Sequence, residues 1–222
     1  MRILAIDAWP AYLERLRADP GEVDMLTQEI LLNATEFFGH RKAFERLENE
    51  ALSRLFALKP GENDTLRAWV VGCATGEEAY SLAITLLEQR AKRDVRPRIQ
   101  VFASDLSEDG LQRGRLGLYP TEIETVMSPA RLAKFFVRED DHGYRVTQLL
   151  RNIVVFAWHN VVKDFPFSQL DIVVCRRGLL DGFKPEIRQA VLRNFHYALK
   201  PHGLLIIDSS SRPDEETPQL FG

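Results

Sequence analysis

Residues 68–84 read AWVVGCATGEEAYSLAI. Ala68 to Val71 form an apolar run and Gly72 to Gly76 a glycine-bearing turn. Ala79, Leu82, Ala83, Leu86 and Leu87 then recur at the spacing of one helix face. Strand, tight turn and helix in this order open a doubly wound sheet, whose ligand crevice lies at the carboxyl end of the first strand. Gly72 and Gly76 let the backbone come close to a ligand, yet their GxxxG spacing is not the GxGxxG of a dinucleotide site. Glu77 and Glu78 stand where a pyrophosphate would need bare amides. Two carboxylates there repel phosphate and welcome a cation. Read more plainly, they complement the positive end of a helix, an effect of well under ~1 kcal/mol each.

Four further apolar runs follow: RIQVFAS (98–104), NIVVFAW (152–158), LDIVVC (170–175) and LLIID (204–208). Continuous runs of this kind, separated mostly by helical stretches, suit parallel strands covered on both faces. Between the second and third runs, FFVREDDHGYRVTQ (135–148) alternates as a hairpin turning at Asp140 to Gly143. The expected fold is therefore α/β, a doubly wound sheet with a small antiparallel β-subdomain near 135–148. Ahead of it, residues 1–60 read as a helical amino-terminal subdomain, broken by DPG at 19–21. Tyr12, Leu13 and Leu16 mark one short helix there, and Val23, Leu26 and Ile30 the next. Phe44, Leu47, Ala51, Leu55 and Leu58 give a further helical face before KPGEND closes the segment. The α/β domain is expected over 61–222.

The chain has 222 residues, 45% apolar and 27% charged, with a formal net charge of −3. That balance argues against a dedicated nucleic-acid binder and leaves a small molecule or another protein as the expected partner. No run approaches the roughly 20 apolar residues of a membrane span, and the start has no signal-peptide pattern. A cytoplasmic protein without membrane insertion is expected. Cys73 and Cys175 show no metal-ligand spacing, so no metal is expected. Both lie beside strand ends, as two reduced core thiols or as a redox-sensitive pair.

Asp105 ends the second run, placed to accept hydrogen bonds from both ribose hydroxyls of an adenosine-type ligand, or to cap the helix after it. Asn160 follows the third run, as a reader of an adenine edge or as a turn residue. A glycine turn, an acidic helix start, a ribose acid and a post-strand Asn together favour an adenosine ligand that carries positive charge and no phosphate. S-adenosylmethionine has that make-up. A nicotinamide dehydrogenase is disfavoured by the missing GxGxxG and by the paired glutamates.

The motifs NATEFF (33–38), GCATGEEAYSLA (72–83), SDLSEDGL (104–111), FPFSQLDIVVCR (165–176) and FHYALKPHGLLII (195–207) succeed one another along nearly the whole chain. In this the chain resembles the chemotaxis receptor methyltransferases, the CheR family. YLERLRADPGEVD, SPARLAKFF and GYRV are most similar to the versions fused with methylesterase and sensory domains. Against the family's length, the first helix is expected to be missing at the start and a last strand at the end. The resemblance implies a methyltransferase-type sheet and methyl transfer from S-adenosylmethionine to receptor glutamates, with S-adenosylhomocysteine as product. The implied partners are the cytoplasmic helices of a chemotaxis receptor or another signalling protein. The protein itself would be a monomer or part of a multidomain chain.

The implied cofactor residues are Asn33, Thr35, Glu77, Glu78, Asp105 and Asn160, with Gly72 and Val161 counted beside them. The chain departs from the family pattern on the acceptor side. Gly39 stands where the motif continues F-F-R, and Arg177 and Asp181 stand where C-R-N-x-x-x-Y has Asn and Tyr. Arg176 and Arg177, with Arg41 as a further cation, are the candidates for orienting the substrate. Two readings result: an active protein-glutamate O-methyltransferase, or a catalytically degenerate module that holds S-adenosylmethionine and docks on signalling proteins.

Overall fold

A computed structural model of the protein describes residues 9–19, 21–22, 36–39, 41–59, 61–94 and 96–207. The chain divides into two compact units, Met1–Thr35 and Glu36–Gly222. In the first, helix α1 (Trp9–Ala18) carries Tyr12, whose hydroxyl donates to Glu22 Oε1 at 3.0 Å, while Arg15 Nε donates to Glu22 Oε2 at 3.1 Å. The second short helix expected through Val23, Leu26 and Ile30 lies outside the described residues.

The larger unit holds β1 (Thr65–Val71), β2 (Arg98–Asp105), β3 (Leu118–Tyr119), β4 (Phe136–Glu139), β5 (Gly143–Val146), β6 (Val154–Trp158), β7 (Leu170–Cys175) and β8 (Leu199–Ile207). Its main sheet has the order β6-β2-β1-β7-β8, and every neighbouring pair is parallel. The five apolar runs of the sequence are these five strands. From β1 the chain winds out to β6, then returns across β1 to β7, so the direction of winding reverses between β1 and β7. This is where a doubly wound sheet opens its crevice.

Successive strand residues point to opposite faces, and β1 shows it: Leu66, Ala68 and Val70 join one apolar core, Trp69 and Val71 the other. The first core is closed by α2 (Arg41–Arg46), a π-helical turn (Leu47–Ala51), α3 (Leu52–Ala57) and α4 (Glu77–Ala91), through Phe44, Leu52, Leu82 and Leu86. Of the helical face expected over 40–58, residues 41–57 are helical, with a π-helical turn at the centre.

α5 (Glu108–Leu116), α6 (Ile123–Val126), α7 (Pro129–Phe135) and α8 (Gln148–Arg151) lie along the segment of chain that also forms the second sheet, which has the order β3-β5-β4. Its hairpin turns at Asp140–His142 as expected from the alternation. β3 adds a strand of two residues that no periodicity could announce. After β7 come α9 (Arg177–Asp181) and α10 (Pro185–Ala198), and α10 buries Val191, Leu192 and Phe195 in the second core.

At the amino-terminal end of β7, the buried carboxylate of Asp171 accepts from the Arg67 amide at 2.9 Å and lies 3.1 Å from both Lys59 Nζ and Lys200 Nζ. Among the described residues no helix is long and apolar enough to cross a membrane.

Candidate functional site

The turn after β1 is built on left-handed backbone: Gly72 has φ +71°, Ala74 +46° and Gly76 +96°. Its first amides, Gly72 N and Cys73 N, both donate to Ser104 O at 2.8 and 3.0 Å, which pins the turn to the end of β2. Asp105 completes the pin. Its Oδ2 accepts from Ala74 N and its Oδ1 from Ser107 N, each at 2.8 Å. The cap of α5 is Ser107, whose hydroxyl accepts from Gly110 N at 3.1 Å. Of the two sequence-based roles for Asp105, the capping role therefore belongs to its neighbour. A carboxylate held by one amide per oxygen retains lone pairs for further donors, and Asp105 is only half-buried.

The two glutamates at the start of α4 have different surroundings. Glu77 Oε2 accepts from Thr75 Oγ1 at 2.6 Å. Glu78 is 5% exposed and faces a cavity otherwise lined by Ala43, Phe44, Leu47, Val174, Cys175 and Ile206. A carboxylate among such side chains suits a cationic group, because an ion in a poorly solvated site needs an opposite charge. At the end of β6, the Asn160 side-chain oxygen accepts from Val162 N and Lys163 N at 3.0 and 3.2 Å, so the residue does form a turn. Its amide nitrogen makes no hydrogen bond among the described residues, and buried Val161 lies beside it.

Asn33 and Thr35 lie outside the described residues, as does His40. The turn that follows them is described. Phe37 is buried edge-on against Tyr119 at 4.8 Å and Phe136 at 5.5 Å, and Phe38 N donates to Ser81 Oγ at 3.0 Å. Gly39 borders a cavity of about 550 Å³ together with Glu36, Glu45, Glu48 and Arg131. The Arg131 guanidinium is committed to Glu88 Oε2 at 2.7 Å, Glu48 Oε1 at 3.2 Å and the face of Phe38 at 4.3 Å.

At the carboxyl end of β7, Arg176 precedes α9 in extended backbone and Arg177 begins it; the Arg177 and Arg41 side chains lie outside the described residues. Asp181 is half exposed at the end of α9 and lies 3.8 Å from Arg188. Cys73 and Cys175 are free and buried, beside the β1–β7 pair in which Val71 faces Cys175. Burial pushes both thiols up, with Asp105 adding to the effect on Cys73 and Glu78 on Cys175.

Compared with known proteins, residues 33–221 match the family model described as CheR methyltransferase, SAM binding domain. The chain belongs to the CheR methyltransferase family. Its CheR relatives include chemotaxis protein methyltransferase 2 of Pseudomonas aeruginosa, 31% identical over 95% of this chain and 74% of that one. The chemotaxis protein methyltransferase of Borreliella burgdorferi is 27% identical over 95% and 76%. An uncharacterized 104.1 kDa protein of Rhodobacter capsulatus is 33% identical over 90% of this chain, which spans only 21% of that protein.

S-adenosylmethionine is the cofactor of this CheR domain, and the residues present suit it. Asp105 offers acceptors to a diol, Glu78 offers a buried negative charge to an ammonium or sulfonium, and Asn160 offers an amide donor. Sequence reasoning missed Thr75 and Tyr119. The Tyr119 hydroxyl donates to Thr75 O at 2.8 Å across 44 residues of chain, and no local pattern signals such a contact.

Proposed function

We propose that this domain is a protein-glutamate O-methyltransferase acting on chemotaxis receptors. The observation that supports this most is the gathering of Gly72, Glu77, Glu78 and Asp105 around one turn pinned by three amides to the end of β2. In this reading Asn33, Thr35, Asn160 and Val161 are further cofactor residues, residues 1–60 are the helical amino-terminal subdomain, and 61–222 the α/β domain. S-adenosylmethionine, when bound, supplies an electrophilic methyl on a sulfonium. The chain's task is alignment: an ionised carboxylate attacking such a methyl needs no general base, only a fixed approach and exclusion of water. Arg176 and Arg177, at the carboxyl end of β7, are the proposed orienting cations.

The second reading, a cofactor-holding module without catalysis, is favoured by Gly39, which offers no side chain, and by Asp181, which is drawn toward Arg188 instead of offering a phenol. One experiment separates them: calorimetric titration with S-adenosylhomocysteine, followed by tritiated-methyl transfer to receptor-containing membranes. Binding with base-labile label on receptor supports the enzyme. Binding without label supports the module, and no binding overturns both. Under the module reading, Gly39→Arg with Asp181→Tyr raises transfer. Glu36 must give way in that variant, because a Cβ at 39 would meet its Cγ at 2.8 Å.

A further inference from the structure

We propose that Tyr119 is a positioning residue of the cofactor turn, acting on the Glu77 carboxylate through Thr75. The inference rests on the reading that this turn holds S-adenosylmethionine. Tyr119 belongs to β3, the short strand of the small sheet, and so comes from a part of the fold separate from the strand ends that carry the candidate cofactor residues.

Two consecutive hydrogen bonds make the connection. Tyr119 OH donates to Thr75 O at 2.8 Å, and Thr75 Oγ1 donates to Glu77 Oε2 at 2.6 Å. The ring cannot turn aside, because Phe37 meets it edge-on at 4.8 Å and Tyr80 at 6.1 Å. Gly76 allows the close fit: at φ +96°, a Cβ there would lie 3.2 Å from the Tyr119 oxygen and 2.8 Å from Phe156. Burial, and after it the Glu77 charge, push the Tyr119 phenol well up, so the hydroxyl keeps its proton and remains a donor.

Thr75 is 6% exposed, so its carbonyl depends on buried donors. Removing the phenol oxygen deprives that carbonyl of a donor in a place water does not easily reach. The turn then settles differently, and the Thr75 hydroxyl no longer aims Glu77. The small sheet thereby braces the cofactor turn, with the Phe37 ring packed on Tyr119 and Phe136 of that sheet.

The test is calorimetric titration of the full chain with S-adenosylhomocysteine. Tyr119→Phe is expected to weaken binding about fivefold or more, the factor that corresponds to the loss of one buried hydrogen bond, ~1 kcal/mol. Thr75→Val is expected to weaken it similarly, and Thr75→Ser, which keeps the hydroxyl, to bind as the wild type does. In the double variant Tyr119→Phe, Thr75→Val the losses should not multiply, since both act on one carboxylate. Tyr144→Phe removes an exposed phenol of the same sheet, bonded to Glu124 at 2.6 Å, and should leave affinity unchanged. Wild-type affinity in Tyr119→Phe, full multiplication in the double variant, or equal binding by Thr75→Val and Thr75→Ser overturns the proposal. Should Tyr119→Phe not fold, the two Thr75 variants decide it. If the wild type itself binds no S-adenosylhomocysteine, the cofactor reading falls and the positioning role falls with it.

Discussion

Asp105 accepts a backbone amide on each carboxylate oxygen, so the side chain proposed for the cofactor diol is the one that ties β1's turn to the start of α5. An amide in its place keeps a single acceptor oxygen and carries no charge. Asp105→Asn is expected to lower S-adenosylhomocysteine affinity about 10- to 100-fold, since hydrogen bonds to charged groups contribute ~1.5–3 kcal/mol. It should also lower the unfolding free energy by about 1–3 kcal/mol, because one buried amide loses its partner. Titration calorimetry and urea denaturation read the two effects separately. The position of Asp105 was legible in the sequence because it follows an apolar run directly, and so were the Glu77 and Glu78 pair and Asn160. The division of labour between Asp105 and Ser107 was not, since both types cap helices and only geometry tells which one does. The Asp181 pairing with Arg188 was equally hidden, being a contact between α9 and α10.

At the scale of elements, helix α5 approaches β6 so closely that its glycine is a requirement of packing. A Cβ at Gly114 would lie 2.4 Å from the Phe156 ring, and that ring also packs on Tyr80 at 5.6 Å. Gly114→Ala is therefore expected to destabilise the domain by about 1–3 kcal/mol, the usual cost of overpacking. Gly178 in α9 meets nothing within 4 Å. Gly178→Ala should be neutral or stabilising by about 0.4–1 kcal/mol through the unfolded chain. Thermal unfolding of the two variants side by side checks the contrast. The five parallel strands and the hairpin were readable because burial on both faces, or alternation, leaves a periodic trace. β3 and the π-helical turn left none. Two residues have no period, and a single π-helical turn changes which carbonyls the amides reach while the apolar positions Phe44, Leu47, Ala51 and Leu55 keep an α-helical spacing in the sequence.

At the scale of the whole molecule, two thiols and two phenols are buried in or beside the main sheet among the described residues. Burial pushes Cys73, Cys175, Tyr80 and Tyr119 up from ordinary values of 9.0 for the thiols and 10.0 for the phenols. The folded state keeps these protons after the unfolded chain has begun to release them. Their contribution to stability is thus complete below about pH 8.5 and declines as the pH rises through the unfolded thiol and phenol values, by up to ~1.4 kcal/mol per group for each pH unit. Urea midpoints measured from pH 8 to pH 11 should fall steadily, and less steeply in Cys73→Ala, Cys175→Ala. A flat profile would contradict the burial of these groups. The order of strands could not be read from local pattern alone, yet it is what brings Cys73 and Cys175 to neighbouring strand ends and leaves them as core thiols.

The groups suited to the cofactor sit on the connections that follow β1, β2 and β6, whereas Gly39 and Asp181 sit on the turn before α2 and on α9. Separate connections anchored to a common sheet can diverge at separate rates. A lineage built on such a scaffold is free to exchange the recipient of its chemistry, or to abandon the chemistry for recognition, while its nucleoside ligand is inherited unchanged.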